Sequence, residues 1–268
     1  MTVPDHIIAS NKFGRYCVPK SSSTRPAAKT ILAGEVWEKD TIRFIARNCG
    51  DGDIVHAGTF FGDFLPGLSR ALHPDARLWA FEPSRENFLC AQQTMALNDL
   101  ANVTLTNAGL GARQGTGTLC ISGNGKATGG SSRFVAQEAP GEVYESVPIV
   151  ALDDVIPQSR NVTVLQLDVE EYEQEALEGA LGLLKRCRPL LILETLPRSP
   201  DWHEHNILSL GYREMGEVHH NRVLAVSDVA MMQVLRKHSA INLERAERRA
   251  RRAARDATQT DQEKPPVE

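Results

Sequence analysis

The chain has 268 residues, 41% of them hydrophobic and 24% charged, with a net charge of −4, enough for one sizeable core and a better fit to one α/β domain with appendages than to two full domains. No run approaches the ~20 apolar residues of a membrane-spanning helix, and the polar first thirty residues lack the apolar stretch of a secretory signal. Five dispersed cysteines without a C-x-x-C pair read as reduced thiols packed as small hydrophobes, so a cytoplasmic protein with no membrane partner is expected.

Residues 1–33 are expected to form an N-terminal extension, 34–238 the main domain, and 239–268 an Arg-rich helix with a disordered tail. Asp53–Ala57 (DIVHA) reads as the first strand, with a helix following from about Gly62 to Leu72. Arg77–Phe81 is the second strand, and Pro83-Ser84 opens a helix to about Asn98. Val103–Thr106 is the third. From Gly109 to Tyr144 the chain is rich in Gly and Ser and reads as loop, with short strands at Gly117–Ile121 and Glu145–Val150. Val162–Leu167 and Leu190–Leu193 are the Val/Leu runs of central strands covered on both faces. Between them Tyr172–Arg186 carries one apolar stripe and is expected as a single helix. Asp201 with Glu204 resembles a capping box for a helix ending near Gly211. Tyr212–Glu217 and Arg222–Val226 form a closing hairpin. Alternation of strand and helix implies right-handed crossovers and a parallel sheet.

Three groups carry chemistry. Gly58 and Gly62 lie where the first strand turns into the first helix, letting the backbone bend sharply and approach a ligand. Their G-x-x-x-G spacing lacks the third glycine that admits a dinucleotide pyrophosphate. Glu82 closes the second strand, where an acid can accept two hydrogen bonds from ribose hydroxyls. Asp168, Glu170, Glu171 and Glu173 cluster after the fourth strand. Asp168 and Glu170 are the catalytic candidates, while Glu173 and Glu175 suit the acidic first turn of a helix. His203, His205, His219 and His220 have no supporting cysteines and read as surface histidines. No metal is assigned, and a magnesium ion on Asp168, Glu170 or Glu194 stays open.

The order and spacing of L-W-A-F-E-P-S-R-E-N-F (Leu78–Phe88), N-D-L-A-N-V-T-L (Asn98–Leu105), A-L-D-D-V-I (Ala151–Ile156), L-D-V-E-E-Y-E-Q-E-A-L-E-G-A (Leu167–Ala180) and R-P-L-L-I-L-E (Arg188–Glu194) resemble the FkbM-type methyltransferases, as do Gly34–Glu38 and Gly129–Ser132. The resemblance covers about Gly34 to Val226. It implies a Rossmann-like class I methyltransferase with a mostly parallel seven-stranded sheet and helices on both faces. It also implies S-adenosylmethionine as cofactor, held by His56, Gly58, Phe60, Gly62, Asp63, Glu82, Pro83, Asn107, Ala108 and Asp168. The implied reaction is O-methylation of a sugar, polysaccharide or secondary metabolite, so the partner is a small-molecule or glycan acceptor. Four positions depart from the family pattern: His56 stands for an acid, Phe60 for Asn, Gln166 for Lys and Glu171 for Gly. An imidazole cannot mimic a carboxylate's charge, and Asp63 is the substitute at hand.

Other readings stay open: a catalytically divergent cofactor-binding module, an RNA methyltransferase and an NAD-dependent oxidoreductase. Between Arg236 and Asp256 eight Lys or Arg face three acids, a possible phosphate grip. Without interleaved aromatics that stretch reads as a solvated helix face, so nucleic acid is not expected as a partner. The sequence leaves the oligomeric state open.

Overall fold

The computed structural model describes residues 3–123 and 126–226. The Arg-rich helix and tail lie outside them. Seven strands form the central sheet: β1 (Asp53–Ala57), β2 (Leu78–Phe81), β3 (Val103–Thr106), β4 (Val162–Leu167), β5 (Leu190–Leu193), β6 (Tyr212–Val218) and β7 (Asn221–Val226). Their order across the sheet is β3-β2-β1-β4-β5-β7-β6, and β7 runs antiparallel to both its neighbours. This is the expected seven-stranded Rossmann-like sheet. Its order reverses between β1 and β4, which places a ligand crevice at the carboxyl ends of those two strands.

Both faces are covered. Ile54, Leu78, Val164 and Ile192 pack beneath the helices Lys39–Asn48 and Leu65–Ser69. Val55, Leu165, Leu167 and Leu191 pack beneath Glu173–Glu178 and Leu181–Cys187 on the other face. Burial on both sides explains why β5 reads as an unbroken apolar run and β4 as one interrupted only by Thr163 and Gln166, rather than as alternating strands. At ~25 cal/mol per Å² of buried apolar surface, these two layers supply most of the driving force.

Several local expectations need correction. The stretch Tyr172–Arg186 is two helices, broken at Gly179, where an added Cβ would lie 2.0 Å from the carbonyl oxygen of Gly111. That crossing fixes glycine there, and glycine in turn weakens the helix. The helix after β5 is Pro200–Asn206, and its cap is Ser199, whose hydroxyl accepts from the Trp202 amide, rather than Asp201. The segment after β3 is not mainly loop. Gly109–Leu110, Gly115–Gly123, Lys126–Ala127, Arg133–Val135 and Glu142–Val150 build a second sheet of their own.

The residues before position 34 pack closely on the domain. The hairpin His6–Asn11/Gly14–Pro19 buries Tyr16, Cys17 and Val18 against Ile31, Phe61 and Cys90. The amide of Cys17 donates to the Thr94 hydroxyl on the helix Arg85–Leu97. All five cysteines are free thiols, four of them buried. No helix among the described residues is long and apolar enough to cross a membrane.

Candidate functional site

The site is built by one row of residues. The backbone pairing continues one residue past the strand ends. Gly58 donates to Phe81 O, Asp168 to Ala57 O and Glu194 to Leu167 O, while Glu82 donates to Thr106 O. Gly58, Glu82, Asp168 and Glu194 therefore line up across the carboxyl edge of β1, β2, β4 and β5. Three of these four positions are acids. The fourth has to be glycine: Gly58 has φ +81°, and a Cβ there would come 1.8 Å from the carbonyl oxygen of Asp168.

Two adjoining cavities open above this row. The first is lined by Gly58, Glu82, Pro83, Ala108, Gly129 and Phe134, among others. The Phe134 ring rests on Gly109 and Gly117 and leaves only about 30 Å³ free. Phe134 sits on Arg133–Val135, a three-residue strand paired with Thr118–Cys120. The second cavity holds about 370 Å³ and is bordered by Glu38, His56, Phe60, Asp63, Glu194 and Asn221, among others. Gly58, Gly130, Asp168 and Glu170 belong to both walls, so the two cavities meet at the expected catalytic carboxylates.

Glu82 is 4% exposed. Its Oε2 accepts from the Phe60 amide at 2.7 Å and its Oε1 from the Ser84 amide at 2.9 Å. Burial outweighs these bonds and pushes its pKa up to about 8. Oε1 also accepts from Asn87 Nδ2 at 3.4 Å, so Oε2 is the oxygen with a further lone pair for a ligand donor. Burial, with Glu38 nearby, likewise raises Asp63 to about 7. Burial and then Glu194 raise Glu170 to about 7, and the same two causes hold Asp168 well above the carboxylate range. The edge of the sheet is thus an acid pocket short of cations. Among the described residues Arg25 is the single arginine or lysine in the larger cavity's wall, and its Nε and guanidinium nitrogen both donate to Ala127 O.

His56 and Gln166 form a hydrogen-bonded pair, side by side in the β1–β4 register. Two of the four departures from the family pattern thus answer each other: a neutral pair stands where the resemblance implies an acid and a lysine. Burial lowers His56 to about 4, so the ring is uncharged at neutral pH. The other two departures, Phe60 and Glu171, have φ +52° and +70°, as does Glu170 at +54°. Left-handed backbone at residues other than glycine is stored strain, and it brackets the site.

Not every expected residue lines a cavity. Gly62 (φ +83°) packs against Leu65 and Thr94 beneath the turn. Asn107 turns its amide to the carbonyls of Glu82 and Pro83 and acts through that loop. Glu173 and Glu175 sit in the first turn of their helix, Glu173 accepting from Thr195 Oγ1 and the Val169 amide. No sequence pattern singles out Glu38, Arg25, Asn221 or Phe134. They reach the site from distant segments, and only Glu38, within Gly34–Glu38, belongs to a stretch that resembles the family.

The fold and the acid-and-glycine row define a Rossmann-like domain with its crevice at the sheet's switch point. A family model, the methyltransferase FkbM domain, matches residues 38–236, and the chain belongs to that family. No curated protein matches the chain. Among solved structures it is similar to Methyltransferase FkbM from Methylobacillus flagellatus KT, at 22% identity and TM-score 0.46, covering 65% of this chain and 43% of that one. A putative O-methyltransferase from Klebsiella pneumoniae is 14% identical with TM-score 0.37, covering 69% and 76% of the two chains. A Pyrococcus abyssi tRNA (uracil-54, C5)-methyltransferase in complex with S-adenosyl-L-homocysteine is 10% identical with TM-score 0.42, covering 82% and 43%.

Proposed function

We propose that the chain is an S-adenosylmethionine-dependent O-methyltransferase acting on a hydroxyl of a sugar, polysaccharide or secondary metabolite. The observation that carries this reading is the meeting of the two cavities at Gly58, Asp168 and Glu170. One cavity has the small residues and buried acid suited to a nucleoside, and the other is larger, with acids set among Trp37, Phe60 and Phe64.

The residues fit the cofactor. Gly58 keeps the edge clear of side chain where any Cβ would collide with Asp168 O. The Glu82 carboxylate, fixed by two backbone amides, would take the ribose hydroxyls, and Pro83 and Ala108 would flank the base. Phe134 must swing away to admit a purine, which its short strand permits. Phe60 stands where a dinucleotide fingerprint has its second glycine, which argues against a dinucleotide. When bound, S-adenosylmethionine supplies a methyl group on a sulfonium centre.

The protein's own work is to hold, orient and deprotonate. Asp168 and Glu170 border both cavities, where they can orient an acceptor hydroxyl and take its proton. Burial and the nearby Glu194 raise both above the ordinary carboxylate range, so each takes the acceptor's proton only from its ionised form, in which it is a stronger base than an ordinary carboxylate. Glu82→Ala tests the reading. Losing two charge-assisted hydrogen bonds should cost about 3 kcal/mol, near a hundredfold in affinity for S-adenosylhomocysteine by calorimetry. Unchanged affinity in a folded variant would remove the ribose role.

A further inference from the structure

We propose that Arg25 is a cofactor-binding residue, its guanidinium holding the carboxylate of the methionyl tail of S-adenosylmethionine. The inference rests on the methyltransferase reading and deepens it, because it assigns part of the cofactor site to residues before position 38, where the family match begins. A ribose on Glu82 would leave the tail at the Gly58 edge, where the larger cavity begins. Glu38, Asp63, Asp168, Glu170 and Glu194 all border that cavity. The tail's ammonium suits such a wall. Its carboxylate is repelled by every ionised acid there and needs a cation.

Two histidines share that wall with Arg25. His56 is uncharged at neutral pH. His220 lies in the turn before β7, four strands along the row from Glu82. At ~4.8 Å per strand that is roughly 19 Å, beyond the reach of a short amino-acid tail. Arg25 stands at the near end. A Cβ at Gly129 would lie 3.0 Å from Arg25 Cγ and 3.3 Å from the Phe60 ring, so both side chains rest on that glycine. Both neighbours are tied to the ribose acid. The Phe60 amide donates to Glu82, and Asn87 Nδ2 donates to Glu82 and to Gly129 O. Arg25 is also fixed in advance. Its amide donates to Ser22 O, its carbonyl accepts from the Lys29 amide, and Pro26 after it restricts its backbone to the extended region (φ −72°, ψ 150°). Its Nε and Nη2 donate to Ala127 O, while Nη1 makes no hydrogen bond among the described residues. A half-buried guanidinium held in this way keeps donors for a carboxylate and loses little further freedom on binding it.

The test is a calorimetric comparison, on the full-length protein, of S-adenosylhomocysteine with its decarboxylated form, which lacks only the carboxylate. Arg25→Ala should bind the intact compound at least tenfold more weakly than the wild type, with no loss of affinity for the decarboxylated one. Arg25→Gln, whose amide can still donate to Ala127 O, should behave the same way and guards against a fold defect in the alanine variant. Equal weakening of both compounds overturns the proposal, since the residue would then act only through the fold. Wild-type affinity for the intact compound in both variants also overturns it and leaves the tail to the backbone amides of turn 58–62. Failure of the wild type to bind either compound removes the cofactor reading itself, an outcome distinct from both of these.

Discussion

The two ends of strand β1 treat buried carboxylates in opposite ways. At its start, Asp53 is 2% exposed yet fully answered by Arg160, the Trp79 indole and the Arg77 amide. Burial raises its pKa, but those bonds outweigh burial and hold it below its ordinary value. At the other end, Glu82, Asp63, Asp168 and Glu170 are all pushed up, chiefly by burial, with few or no cations to answer them. A protein that only needed stability would not leave the second group unpaired. The contrast separates an acid that holds the sheet together from acids that, on the proposed function, meet a ligand.

Asp53→Ala probes the structural end and should have the largest effect. Breaking a buried pair by removing one partner costs about 3–5 kcal/mol, read as a lower urea midpoint. Affinity for S-adenosylhomocysteine in the folded remainder should not change. A loss under about 1 kcal/mol would erase the contrast.

The functional end should show in pH dependence. A carboxyl whose folded pKa is raised holds a proton that the unfolded chain has released. Its contribution to stability is therefore greatest below about pH 4 and falls as pH rises toward 7 or 8. Asp53, with a depressed folded pKa, contributes above about pH 4 and loses that contribution on further acidification. Ligand-free protein should thus melt at a lower temperature at pH 8 than at pH 5. Asp63→Asn should flatten that decline, gaining on the order of 2 kcal/mol at pH 8. A melting temperature that rises steadily from pH 5 to 8 would contradict the unpaired-acid description.

The smallest effect tests backbone strain at the same end. Glu171, exposed at φ +70°, should stabilise the fold by about 1 kcal/mol when replaced by glycine. That is roughly 2–4 °C in melting temperature. An unchanged or lower value would mean that the side chain's contacts outweigh the strain.

Much of this was legible from sequence for a physical reason. Strands covered on both faces are mostly apolar, so Val162–Leu167 and Leu190–Leu193 stand out, and the residue after each, Asp168 and Glu194, falls at the sheet edge. Glu82 falls there by the same rule after Leu78–Phe81. The strands at Gly117–Ile121 and Glu145–Val150 are legible, but not their full extent or their pairing into a separate sheet, because that pairing spans a long separation and their Gly, Ser and Thr residues give no clean alternation. The break at Gly179 depends on a crossing with Gly111 that no local pattern reveals. Arg25 and Asn221 enter the site from the two ends of the described chain, where only tertiary structure brings them near Asp168.

Calorimetric titration of the wild-type chain with S-adenosylhomocysteine, set beside a titration with NAD, tests the central claim most directly. One saturable S-adenosylhomocysteine site per chain and no NAD binding are expected. Saturable NAD binding, or no heat and no saturation with S-adenosylhomocysteine, would contradict that claim.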